Sequence, residues 1–276
     1  MGAELDRLRD RRESRKLVER LYKDAHRVFV VHYSCETFYE NATGASRRVT
    51  SIAIRNLRSG QTQSWSLHKS AELRGQLDSM KGTLDPLEKD MLKGYFSFLQ
   101  KYQDHEFLHW NMRDDVYGFH ALEHRYRVLG GKPFELPDEK KIDLARLLVR
   151  LYGKAYAPHK DSQGRKGRIM ALAELNKVTD EDALTGAQEA EAFEQGNYIL
   201  MHRSTLRKLD MFANFFERTH EKSLITNAKW MDKVGVHPVV ITELVKDHPL
   251  FTIFVVGGAL AGALAKYNDF WRWLTH

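Results

Sequence analysis

The hydrophobic and polar positions divide the chain into a charged opening helix, a strand-rich stretch and a long helical half. In residues 4–27, Leu5, Leu8, Leu17 and Leu21 recur at helical spacing among Arg, Glu and Lys. The segment "RVFVVHYSCETF" begins apolar and β-branched, as a central strand does. "RVTSIAIRNL" and "GQTQSWSLH" alternate on either side of the turn Arg58 to Gly60, so three strands in an antiparallel meander are expected. A helix over 84–104 follows, opened by Asp85-Pro86 with proline in the first turn. A short strand, "EFLHW", leads to a helix over 116–129 that Gly130 and Gly131 stop. "IDLARLLVRLYG" (Ile142 to Gly153) has the period of an amphipathic helix. A basic polar loop runs from His159 to Arg168, and helices are expected over 168–176 and 184–217.

Composition narrows the class. The 276 residues are 42% hydrophobic and 29% charged, which is globular rather than disordered and allows one large domain or one with an appendage. The formal net charge of +6 suits an anionic partner such as nucleic acid or lipid headgroups. A single cysteine, Cys35, excludes an intrachain disulfide and a cysteine-based zinc site. The opening residues carry both charge signs densely and contain no apolar core of a signal peptide.

The C-terminal segment differs. Pro249 to Ala265 contains no charged residue, lies between Asp247 and Lys266, and is followed by Trp271 and Trp273. A spanning helix needs about 20 apolar residues, so this run is at the margin. Gly258 and Gly262 form a small-residue face suited to helix pairing or a homo-oligomer, and the tryptophans suit a membrane interface. The expected organisation is a charged helix (1–27), a folded domain (28–218), a connector (219–248) and a C-terminal anchor and tail (249–276). That arrangement places the domain on the cytoplasmic face of a membrane. A buried or oligomerisation helix in a soluble protein is the alternative.

Three strands, a helix, a strand and then helices is an order that resembles the RNase H-like superfamily, in particular the DEDD 3′–5′ exonucleases. Ser34-Cys35-Glu36 stands where that family carries Asp-x-Glu on its first strand. His109-Trp110-Asn111, Asp114-Asp115 and Arg125 through Leu129-Gly130 resemble its second motif. Glu189-Ala190, with Glu191 as alternate, stands where a third motif places an acid on a helix. The resemblance implies an α/β, RNase H-like mixed sheet flanked by helices. It also implies a divalent-metal-dependent nuclease of DNA or RNA. Glu36, Asp114, Asp115 and Glu189 would hold Mg²⁺ or Mn²⁺, hard cations that take oxygen ligands and activate water for phosphodiester hydrolysis. The departures are Ser34 for the first acid, Glu for the third, and Leu184-Thr185 where the family has a His or Tyr. They leave open a catalytically degenerate relative that binds nucleic acid, nucleotide or a protein and signals at the membrane. A membrane-held nuclease would suit defence against foreign nucleic acid.

The individual residues admit plainer roles. Asp114 or Asp115 suits a helix cap. Glu189 and Glu191 also fit a solvated helix face, and His120 with His124 fits an exposed pair lacking a third zinc ligand. Successive strand residues face opposite ways, so His32 and Cys35 would not share a face as a nucleophile pair. Arg165, Lys166 and Arg168 in the basic loop, Arg203, Arg207 and Lys208 on the last helix, and Asn111 are the candidate contacts to a nucleic-acid backbone.

Overall fold

The computed structural model describes residues 3–37 and 46–228, and Ser14–Ala228 forms one compact unit. Helix α1 (Ala3–Lys23) enters that unit at Ser14, and its Val18 and Leu21 are fully buried. Strands β1 (Val28–Cys35), β2 (Val49–Asn56) and β3 (Thr62–Ser66) form the expected antiparallel meander. Strand β4 (Glu106–His109) adds to the other side of β1 in parallel, and β5 (Lys141–Asp143) adds to β4 in parallel. The mixed sheet therefore has the order β3-β2-β1-β4-β5. Helices α2 (Leu67–Leu73), α3 (Leu84–Lys101), α4 (Phe119–Val128), α5 (Leu144–Tyr152), α6 (Arg168–Leu175), α7 (Gly186–Glu194) and α8 (Tyr198–His220) complete the described chain. The fold is α/β, with helices on both faces of the sheet.

Strand β1 is buried along its whole length because both faces are covered. Val28 and Val30 pack with residues of α1, α5 and α8, while Phe29, Val31 and Tyr33 pack with residues of α3 and α4. The alternation that separates these two cores also puts His32 and Ser34 on the face covered by α8. On the opposite side, the buried carboxylate of Glu88 on α3 takes Arg125 Nε at 2.8 Å and Nη2 at 2.6 Å. It also takes Arg48 Nη1 at 3.0 Å and the Val49 amide at 2.7 Å. This network ties α3 and α4 to the start of β2.

Three expectations change in detail, and one short helix is added. The helix expected from residue 116 begins at Phe119. The Asp114 carboxylate first closes a turn by accepting from the amides of Val116 and Tyr117 at 3.2 and 2.8 Å. Gly118 then passes so close to Met112 that a Cβ would lie 2.6 Å from its carbonyl carbon. Ile142-Asp143, expected in a helix, belong to β5, and Asp143 caps α5 from the strand end. The single helix expected over 184–217 is two. Gly196, at φ +73°, takes the left-handed conformation that ends α7, and the Asn197 side chain accepts from Leu200 N at 3.2 Å to start α8. Helix α2, seven residues long, follows β3 without a loop, capped by Ser66, and has no counterpart in the pattern-based reading.

Among the described residues no helix is long and apolar enough to cross a membrane. The expected anchor over 249–265 and the Gly258/Gly262 face lie outside the described residues.

Candidate nucleotide and nucleic-acid interface

Strands β1, β4 and β5 point their C-terminal ends the same way, and the chain leaves β1 and β4 toward opposite edges of the sheet. Ligands of open α/β sheets bind at such a switch point. A cavity of about 680 Å³ opens there. After β4 the chain turns sharply at Asn111, a non-glycine residue at φ +54°. One carboxylate holds this turn. Asp143 accepts from Asn111 N at 3.3 Å and Arg113 Nη1 at 2.8 Å, and caps α5 through Ala145 N at 3.0 Å. Trp110, Asn111 and Arg113 thereby form one wall of the cavity, and Arg146 on α5 stands beside them.

The floor is buried and polar. Glu189 is fully buried, and its Oε1 accepts from Ser34 Oγ at 2.9 Å, Ser204 Oγ at 2.9 Å and Lys208 Nζ at 2.6 Å. Thr205, itself bonded to Ser51, lies 2.8 Å from Ser34 and links the floor to β2. Two opposite charges removed from water at this separation neutralise each other, which makes their burial tolerable. Oε2 of Glu189 has no hydrogen-bond partner among the described residues. Lys208 and His32 line the cavity from below.

The far wall is the 159–168 loop. Its backbone folds back through Gly167 N to His159 O at 2.8 Å and Asp161 N to Arg165 O at 3.2 Å. Arg165 is the buttress of this hairpin, bonded to Asp161 at 2.6 Å and to Asp180. Lys166 and Arg168, its neighbours, reach the cavity, and the Arg168 guanidinium sits 5.3 Å from the ring centre of buried Tyr156. Arg146 and Lys166 are exposed and have no acidic partner among the described residues. Among the described residues the cavity lining contains five lysine and arginine side chains and no acid; Glu189 lies behind Lys208, outside the lining.

Two of the proposed metal ligands, Glu36 and Asp114, are held by backbone amides. Glu36 accepts from the Arg48 amide at 3.1 Å at the end of β1, and Asp114 closes the turn described above. Asp115 is exposed beside it. Glu189 is joined instead to Ser34, the residue at the first acid position, and to an ammonium. Among the described residues no three His, Cys, Asp or Glu side chains group to hold a metal ion. As placed, the four acids do not make a Mg²⁺ or Mn²⁺ site: Lys208 already supplies the positive charge that would balance Glu189.

Of the proposed backbone contacts, Asn111, Lys166 and Arg168 come together in the cavity. Arg165 is spent on the hairpin. Arg203 is exposed and Arg207 half-buried on α8, and neither lines the cavity. Pattern reasoning missed Tyr117, Tyr156 and Arg146; it took Lys208 with Arg203 and Arg207 as a channel contact rather than as half of a buried pair, and weighed His32 only as a nucleophile partner. Lys208 carried a usable signal: it interrupts a stripe with buried Met201, Thr205, Leu209 and Phe212, and a lysine there needs an acid.

No protein-family model, curated protein or solved structure matches the chain.

Proposed function

We propose that this chain is a catalytically degenerate RNase H-like domain that binds nucleotides or the phosphodiester backbone of nucleic acid in the cleft at the ends of β1, β4 and β5. One observation carries the reading: among the described residues the cleft lining contains five lysine and arginine side chains and no acid, and the Lys208 of that lining is paired behind it with buried Glu189. Exposed cations at Arg146 and Lys166, without an acidic partner among the described residues, attract phosphate, and the buried rings of Trp110 and Tyr156 back the cleft. The mixed sheet flanked by helices supports the RNase H-like part of the reading. Among the described residues, the four acids as placed do not form the donor set of a divalent metal.

Metal-dependent hydrolysis is the second reading, favoured by one feature, the buried Oε2 of Glu189, which has no hydrogen-bond partner among the described residues. Membrane tethering belongs to the same proposal and rests on the uncharged run 249–265 alone.

The test is titration of end-labelled single-stranded DNA and RNA with the full chain, in EDTA and then in Mg²⁺ or Mn²⁺. Binding in EDTA that falls steeply with salt, with the strands left intact in metal, is the expected result. Intact binding with metal-dependent cleavage that Glu189→Gln abolishes would establish hydrolysis instead, and absence of binding under all conditions would remove both readings. Alkaline extraction of membranes tests the tether: a chain released without detergent has no spanning anchor.

A further inference from the structure

Each wall of the cleft carries a pair of like charges. On α5, Arg146 lines the cavity, and Arg150 is exposed one turn farther along, outside the lining. Residues four apart on a helix have Cβ atoms about 5–6 Å apart, so two cations there repel. On the far wall, Lys160 and Lys166 are bridge partners in the hairpin. The bonds Gly167 N to His159 O and Asp161 N to Arg165 O flank them, which makes them a non-hydrogen-bonded antiparallel pair. Such partners leave the hairpin on one face with Cα atoms about 4.5 Å apart, and like charges there are destabilising. Lys166 lines the cavity, and Lys160 is exposed outside the lining. None of the four has an acidic partner among the described residues.

We propose that Arg150 and Lys160 extend the cleft into a track for a polynucleotide strand, which crosses from one wall to the other with phosphates on Arg146 and Arg150 at one side and on Lys166 and Lys160 at the other. This rests on the nucleic-acid reading above and narrows the ligand from a free nucleotide to a strand. Charge separates the two. Arg113 and Lys208 of the lining are matched by Asp143 and Glu189. Arg146, Lys166 and Arg168 in the lining, with Arg150 and Lys160 beside it, have no acidic partner among the described residues. One terminal phosphate carries about two negative charges, too few for these cations, whereas a strand brings one at every nucleotide. Spacing separates a strand from a triphosphate. The phosphates of a triphosphate share single bridging oxygens, but those of a strand are set apart by a sugar, and the two cation pairs stand on opposite walls of the cleft. Bound phosphate also removes the repulsion within each pair, so the free protein carries a strain that the complex does not.

Fluorescence-anisotropy titration of the full chain with labelled dithymidylate and dodecathymidylate over a range of salt tests this. The dodecamer should show the steeper fall of affinity with salt. The double substitution Arg150→Gln with Lys160→Gln should lower the dodecamer's slope of log K against log salt by about 1.4, the counterion release of two phosphates of a single strand. It should leave the melting temperature unchanged or raised, because each pair loses its repulsion. Lys89→Gln with Lys93→Gln is the matched control. These lysines are exposed and four apart on α3, which packs on the other face of the sheet from α5. The control removes the same charge and should keep the slope. A dodecamer slope that the Arg150 and Lys160 substitutions do not change, or that the control lowers equally, would overturn the proposal. A melting temperature lowered by the first pair of substitutions would make those residues structural and overturn it too. So would tripolyphosphate displacing the dodecamer as well as unlabelled dodecamer does at equal phosphate, or phosphatidylserine vesicles losing affinity for the double variant while the dodecamer does not. Equal slopes for the two oligonucleotides would leave nucleotide binding in the cleft standing and remove the track; absence of binding to either removes both.

Discussion

Lys208 Nζ lies 2.6 Å from Oε1 of Glu189, with both side chains buried between α8, α7 and β1. The pair joins the helix that covers the sheet to the one that borders the cleft. Removing one partner leaves the other charged and dry. Lys208→Met should therefore destabilise the protein by about 3–5 kcal/mol in urea denaturation. Adding Glu189→Gln should recover much of that loss, since the amide is neutral and still accepts from Ser34 and Ser204. A double variant no more stable than Lys208→Met alone would show that the pair is not the reason Lys208 is there.

Neighbouring cations on the 159–168 loop should separate into structure and binding. Arg165→Ala removes the bonds to Asp161 and Asp180, and should cost about 1–3 kcal/mol of stability. Lys166 has no acidic partner among the described residues, so Lys166→Ala should change stability by less than about 0.5 kcal/mol. It should instead weaken oligonucleotide binding and lower the salt slope by about one unit. Equal melting temperatures for the two variants would contradict this division.

The Glu88 network is the second buried charge cluster. Glu88→Ala strips Arg125 of its bidentate partner and the Val49 amide of its acceptor, a loss of about 3–5 kcal/mol expected in denaturant titration. Because Glu88 lies outside the cleft lining, any folded Glu88→Ala protein should bind oligonucleotide with unchanged affinity.

Acid should destabilise the protein from near pH 6.5 downward. Desolvation holds His109 at a pKa of about 4, with Arg113 and Lys141 also lowering it against the opposing Asp143; His32 is likewise held well below its ordinary value. Between the folded and unfolded pKa values the unfolded chain binds the extra proton. Stability therefore rises with pH across that window, and is lost as pH falls, by up to about 1.4 kcal/mol per pH unit for each such histidine. His109→Asn keeps an acceptor near the Met112 amide, which Nδ1 now takes at 3.1 Å, and removes the titration. It should flatten the pH dependence between 4 and 6.5 by about one proton. An unchanged slope would mean that His109 titrates normally.

The sequence alone determined the elements whose signal is local. Runs of β-branched and alternating residues specify β1, β2 and β3. The apolar period of α5 is legible for the same reason, since a helix face reports its own burial every three or four residues. Three-residue β5 is too short to show a period, and it exists because β4 offers it an edge. Asn111, Lys166 and Arg168 were readable as polar groups on loops that meet the end of a sheet. Only the tertiary structure decided which charges are used up. Arg165 and Lys166 are adjacent and equally basic, yet one is clamped by acids and the other has no acidic partner among the described residues. Ser34 and Glu189 are 155 residues apart and touch because α7 and α8 close over β1. Hydrophobic periodicity records how much of a residue is buried, averaged along one element. The partner of a buried polar group is set by packing between elements, and a single local pattern carries no term for it.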